Sequence, residues 1–249
     1  KVIQYPISDA SWGAPKETDD GYSLAYSVDV DGNPIYTSDM TDEQRFDAAL
    51  QAAIGFFQAA GYTWDDATGT FTAAPEGAQM AYEVIIPADG GEDHPAYLLC
   101  EYVRSALETI GITLTINNPS DSNQMWTTID ARTHNMYTAA FSFGGSPDPD
   151  CYDRYYSGEI DSGNNNNAIS DPTLDELLLN GRISADQSYR RAIYKEALDI
   201  VRDWAVEVPY YQRQNIYVYS TERVNVDTIT PDITTFWDWQ HDLEKLEMN

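Results

Sequence analysis

The sequence predicts an α/β fold, a mixed sheet flanked by helices, and three features carry that prediction. An apolar, strand-sized run at 81–87 is followed by a helical period from Pro95 to Ile110 and then by a second strand-like run at 112–116. A helical stretch at 122–132 and an apolar run at 137–143 repeat the step. Strand, helix and strand joined by short links form the βαβ unit, which brings parallel pairing and a right-handed crossover.

The elements follow from local chemistry. Residues 1–40 are rich in Gly, Pro, Asp and Tyr without a sustained period, and read as an irregular lead-in with short strands. Thr41-Asp42-Glu43-Gln44 is a capping box, a hydroxyl at the cap with Gln three residues on. Phe46, Ala49, Leu50, Ala53, Ile54 and Phe57 then recur at helical spacing, and Gly61 closes the helix. Asp65-Asp66-Ala67-Thr68-Gly69 reads as a hairpin-type loop. In the second helix Leu98, Leu99, Tyr102, Val103, Ala106, Leu107 and Ile110 mark the expected buried face, with Gly111 as its stop. In the third, Met125, Trp126 and Ile129 are expected inward. Asp171-Pro172 caps a short helix, and Ser184-Ala185-Asp186-Gln187 reads as a capping box opening a helix to Trp204. Its inward positions are Ala192, Ile193, Ala197, Ile200, Val201 and Trp204, and strands are expected at 206–211 and 216–219.

Composition bounds the function. The 249 residues carry 41 acids against 14 bases, a formal charge of −27. Such a chain repels phosphate backbones and anionic lipid, so nucleic-acid partners are not expected. An acidic surface that keeps an exported protein soluble accounts for the charge without any acid-specific role. No stretch approaches the roughly 20 apolar residues that span a bilayer. The start, Lys1-Val2-Ile3-Gln4-Tyr5-Pro6, has none of the parts of a signal peptide, and the chain is expected to be a piece of a longer protein. Cys100, in an apolar helical run, is expected to be a buried thiol, and a bridge to Cys151 is left open.

Chemistry-bearing motifs are few. Asp148, Asp150 and Asp153 are close enough in sequence to raise the question of a paired-acid hydrolase, but 41 acids produce such neighbours by chance. The same run lacks the Gly and the late Glu of a helix–loop–helix calcium site. His94, His134 and His241 are scattered, no CxxC occurs, and no metal or cofactor is expected. The unusual stretch is 143–171, where Gly144-Gly145-Ser146-Pro147-Asp148-Pro149-Asp150 leads into Tyr152, Tyr155, Tyr156 and the run Asn164 to Asn167. A long irregular segment after a strand is where α/β sheets place ligands, and aromatic faces with a few amides suit a small polar one. Tyr residues that merely pack the loop down are the plainer alternative.

Several pieces in order resemble family 5 extracellular solute-binding proteins, the oligopeptide, dipeptide and nickel binders. They are Phe56-Phe57-Gln58-Ala59-Ala60-Gly61-Tyr62, Leu107-Glu108-Thr109-Ile110-Gly111-Ile112, the run from Phe143 to Pro149, Asn164 to Asn167 with Asp171-Pro172 and Asp175, and Arg190, Arg191, Tyr194, Ala197 with Val208-Pro209-Tyr210-Tyr211. The resemblance implies the carboxy-terminal lobe of a two-lobed, periplasmic-binding-protein-like clamshell, with 1–219 as the ligand-binding lobe and 220–249 as a segment returning toward the other lobe. It implies no catalysis. The implied role is a monomeric carrier, outside the cell or in the periplasm and tethered as a lipoprotein. Such a carrier hands peptides or a related small polar ligand to the membrane permease of an ATP-driven importer. It places Phe143, Gly144, Gly145, Ser146, Asp148 and Asn164 at the ligand. Peptide binders of the family carry an Asp where Gly145 stands here, and Asp148 is the nearest acid that would pair a ligand amine in its place. A hydrolase and a plain surface-interaction domain are the alternatives.

Overall fold

The structure, a computed structural model, describes all residues except 88–90, 142–146, 215, 232 and 235. The chain forms two compact units, one of Tyr26–Ala140 and one that joins Lys1–Ala25 to Phe141–Asn249.

The Tyr26–Ala140 unit holds the parallel sheet. Helix α1 (Asp42–Ala59) starts at the Thr41–Gln44 capping box and ends at Ala60. Its last carbonyls are taken by Gly61, which donates to Gln58, and by Tyr62, which donates to Phe57. This is the Schellman closure, and it needs the left-handed φ of +94° at Gly61. The hairpin β1 (Thr63–Asp65) and β2 (Thr70–Ala73) pairs antiparallel around the Asp65–Gly69 loop. Strands β3 (Ala81–Ile85), β4 (Thr113–Asn117) and β5 (Met136–Tyr137) form a parallel sheet in the order β4-β3-β5. Helix α2 (Pro95–Thr109) links β3 to β4, and α3 (Ser122–Asp130) links β4 to β5. The central strand is buried on both faces, as parallel strands are. Val84 packs with Ala96 and Cys100 of α2, whereas its neighbour Ile85 packs with Met125 and Ile129 of α3.

Two helix faces differ from expectation. The buried stripe of α2 runs through Ala96 and Cys100, and Leu98 and Tyr102 stand 56% and 59% exposed, with Val103 also outside. Small side chains let the helix approach the sheet closely, which shifts the stripe by about one position from the bulky residues. In α3, Met125 and Ile129 are four apart on one face, and Trp126, about 100° round the helix, is exposed.

The other unit is helical. It comprises α4 (Tyr152–Tyr155), α5 (Pro172–Asn180) and α6 (Gln187–Trp204). Tyr155, Ile169, Leu174, Leu178, Tyr194, Leu198 and Val201 make its core, with Tyr5 and Ile7 from the lead-in. Asp171 caps α5 by accepting from Thr173 and Leu174. Helix α6 begins two residues later than the Ser184 box implies: Asp186 caps it by accepting from Tyr189, and Ser184 accepts from Asp186 instead. Its buried line centres on Tyr194, Ala197, Leu198 and Val201. Ala192 is exposed, and Trp204 lies at the rim, donating to Asp171.

The strands expected at 206–211 and 216–219 do not form among the described residues. Only an antiparallel bridge between Val2 and Tyr211 is present. Ile216 and Val218 are 86% and 91% exposed. Alternating β-branched and aromatic residues supply the propensity, but a strand exists only where a neighbour accepts its ladder. Cys100 and Cys151 are both buried free thiols. Among the described residues no helix is long and apolar enough to cross a membrane.

Candidate functional site

Phe143, Gly144, Gly145 and Ser146 lie outside the described residues. Their flanks, Phe141 on one side and the run from Pro147 on the other, are described.

The run from Pro147 is fastened from three directions. The lead-in lies across it: Ser11 Oγ donates to the Pro147 carbonyl at 2.7 Å and the Trp12 amide to the same oxygen at 3.2 Å. Gly13 sits so close that a Cβ there would lie 2.5 Å from Pro149 ring carbons. From α6, Arg190 grips Asp148 with both ends of its fork, at 2.6 and 2.7 Å, while its Nε donates to the Gly181 carbonyl at 2.7 Å. Arg182, just past α5, donates to Asp150 at 2.8 Å and lies 3.9 Å over the Tyr152 ring. Tyr152 stacks in turn on Tyr156, with centroids 4.4 Å apart.

A bidentate guanidinium–carboxylate pair is a strong and directional contact. Hydrogen bonding from Arg190 holds the Asp148 carboxyl below the usual carboxylate range. Asp148 is therefore an anchored anion with both oxygens engaged. The three acids do not form a hydrolytic pair. Asp150 and Asp153 both face Arg182, and the shift at Asp148 is opposite to the raised pKa that a general acid needs.

On the other flank, the Arg154 guanidinium lies 3.7 Å over the Phe141 ring and forms an ion pair with Glu207. Tyr155, whose hydroxyl pKa is pushed well above its ordinary value by burial, donates to Glu207 at 3.0 Å. The Asn167 amide donates to the same carboxylate at 3.2 Å.

Asn164 joins a different group: it is exposed and donates to Glu159 at 2.9 Å. Its neighbour Asn165 is the buried member of the run. Asn165 donates to the Tyr156 and Ile169 carbonyls at 3.1 and 3.0 Å. Sequence reasoning singled out neither Asn165 nor Arg154, Arg182 and Glu207 as site residues. The signal available was the scarcity of cations: with 14 bases in the whole chain, each Arg has many acids to choose from. Among the described residues no group of three or more His, Cys, Asp or Glu side chains is arranged to hold a metal.

The chain thus combines an α/β unit with parallel strands and a helical unit in which the run from Pro147 is tied down by arginines. Residues 14–163 match the profile of bacterial extracellular solute-binding proteins, family 5 middle, and the chain belongs to that family. Its members bind and release solutes and are not enzymes. The oligopeptide-binding protein AppA from Bacillus subtilis, solved with a nonapeptide, matches with a TM-score of 0.60 at 17% identity, over 85% of this chain and 36% of its own. A dipeptide-binding protein from Pseudoalteromonas sp. SM9913, solved with Met-Leu, matches with 0.58 at 17% identity, over 84% and 34%. NikA from Brucella suis, in complex with Fe(III)-EDTA, matches with 0.53 at 17% identity, over 84% and 36%. These likenesses establish the fold, and the chain spans about a third of the length of each. A search of curated protein sequences returns no match.

Proposed function

We propose that the chain is the ligand-capturing, carboxy-terminal lobe of a receptor that feeds peptides, or a related small polar ligand, to the permease of an ATP-driven importer. In this reading 1–219 forms the lobe and 220–249 returns toward the remainder of the receptor. The parent is a monomer, outside the membrane and held there by a lipid tether, and it closes on its ligand as a hinged clamshell. Phe143, Gly144, Gly145 and Ser146 line the ligand side, with Asn164 at its rim.

The observation that carries the proposal is the double arginine frame. A segment that merely linked two elements would not need Arg190 on one flank and Arg154 on the other, whereas a binding segment gains affinity when its supports are fixed beforehand. Asp148 serves in that frame through its pair with Arg190. In this reading Asp148, fixed by that pair, is the acid nearest in sequence to Gly145 that could meet a ligand amine.

The test is native mass spectrometry of the parent purified without refolding. A ladder of short-peptide masses supports the peptide reading. A single sugar or metal-chelate mass keeps the receptor and changes the substrate class. An empty protein whose melting temperature no peptide, sugar or chelate panel shifts would refute the proposal.

A further inference from the structure

Residues 1–3 hold 210–212 in a short antiparallel ribbon. The Ile3 amide donates to the Tyr210 carbonyl, the Gln212 amide to Lys1, and the Lys1 amine back to Gln212. Beyond Gln212 the ribbon stops, and no backbone hydrogen bond reaches 213, 214 or 216–219 among the described residues. The side chains nevertheless alternate as in a strand. Tyr217 and Tyr219 are half-buried, whereas Ile216 and Val218 are almost fully exposed. The Tyr219 hydroxyl is buried with no hydrogen-bond partner among the described residues.

Charge marks both ends of this run. Acids outnumber bases 41 to 14, and in the same unit Arg154, Arg182, Arg190, Arg191 and Arg202 each hold a carboxylate. Arg213 and Arg223 are exposed, and their side chains have no partner among the described residues. In so acidic a chain, the two guanidiniums left open bracket the one apolar run left without a ladder. Free backbone groups and an exposed apolar face are what an added strand takes up, and carboxylates opposite the arginines would fix its register.

The chain spans about a third of the length of its solved relatives, so the receptor reading above leaves most of the receptor as a source of such a strand. Resting on that reading, we propose that 213–219 is the docking edge for a strand supplied by the remainder of the parent receptor. The strand runs antiparallel, in line with the ribbon of residues 1–3. It covers Ile216 and Val218 with apolar side chains and brings one carboxylate to Arg213 and another to Arg223.

The experiment uses the full parent receptor. Hydrogen exchange read by mass spectrometry follows 213–219, and a photoreactive benzophenone amino acid at position 216 captures what lies on it. Wild type is expected to exchange this run far more slowly than an open chain. Position 216 is expected to cross-link to an acid-bearing segment of the same polypeptide outside residues 1–249. Arg213→Glu combined with Arg223→Glu should speed exchange of the run roughly tenfold, the scale of two surface ion pairs turned into repulsions. Salt at about 1 M should shrink that difference. Exchange at β3 and β4 should keep its wild-type rate, which separates loss of the docked strand from loss of the fold. Open-chain exchange of the run in wild type, an unmoved rate in the double charge reversal, or a cross-link within residues 1–249 or to a second molecule overturns the proposal. A parent that binds no peptide, sugar or chelate and still protects the run loses the function proposed above and keeps the docked strand.

Discussion

Replacing Arg190 with Met is the sharpest test of the frame around the Pro147 run. The guanidinium donates to both Asp148 oxygens, to the Gly181 carbonyl and, at 3.4 Å, to the Tyr194 hydroxyl. Hydrogen bonds to a charged partner contribute about 1.5–3 kcal/mol each when well buried. The Asp148 side chain is 35% exposed, so water recovers part of that, and about 1 kcal/mol per bond is the defensible figure. The abandoned Gly181 carbonyl adds about 1 kcal/mol, and Met retains most of the stem's packing. The total is near 3 kcal/mol. For a chain of this size that lowers the melting midpoint by roughly 6–12 °C. Urea unfolding followed by Trp fluorescence, with calorimetry alongside, measures it. A double-mutant cycle with Asp148→Asn should return a coupling above about 1 kcal/mol. A change below about 0.5 kcal/mol in Arg190→Met, or additivity in the cycle, would refute the reasoning.

Further expectations concern the same unit and the sheet. Because the folded Asp148 carboxyl titrates below its unfolded value, its contribution is intact above the unfolded pKa near 4 and disappears as pH falls through the lower folded value. An acid unfolding series should therefore show a shallower loss in Asp148→Asn than in wild type below about pH 4. Asn165→Ala strands the Ile169 carbonyl, while the Tyr156 carbonyl keeps the Glu159 N–H, and should cost about 1–3 kcal/mol in a urea titration. Gly111→Ala meets a φ of +82° and the Phe71 carbonyl oxygen at 2.8 Å, so a loss of about 2 kcal/mol or more is expected by the same measurement. Burial pushes the Cys151 thiol up to about 12 and raises Cys100 as well. A thiol reagent at pH 8 should label neither in the native protein and both after unfolding.

What was legible in the sequence was whatever a few neighbouring residues decide. The Thr41–Gln44 box, the Asp171 cap and the stops at Gly61 and Gly111 appear as read, because caps and positive φ are local chemistry. The βαβ steps also appear, since periods of two and of 3.6 residues are distinct over ten positions. The failures came where distant partners choose. Leu98 and Tyr102 look more buried than Ala96 and Cys100, until the sheet's need for a close helix is known. The 216–219 run has every property of a strand except a partner among the described residues. Asp148 was singled out in the sequence, but its tie to Arg190 was not, because 42 positions separate them. The buried Asn165 was hidden in a run of four identical residues.

The threading of the lead-in also sets an order of assembly. The bonds Ser11–Pro147, Asp19–Arg191 and Lys1–Gln212 join residues 136, 172 and 211 apart, while the 26–140 stretch forms its compact unit from continuous chain. Closing such long loops is slow, and a growing polypeptide cannot close them before the far end exists. The sheet-bearing stretch can therefore nucleate as it emerges, and the first 25 residues must wait, unsatisfied, for α6 to be made. Pulse-labelled hydrogen exchange during refolding should find protection at β3 and β4 before it appears at Tyr5 and Ile7. Residues 1–25 are thus the part of this chain that stays open to proteases and chaperones for longest during synthesis.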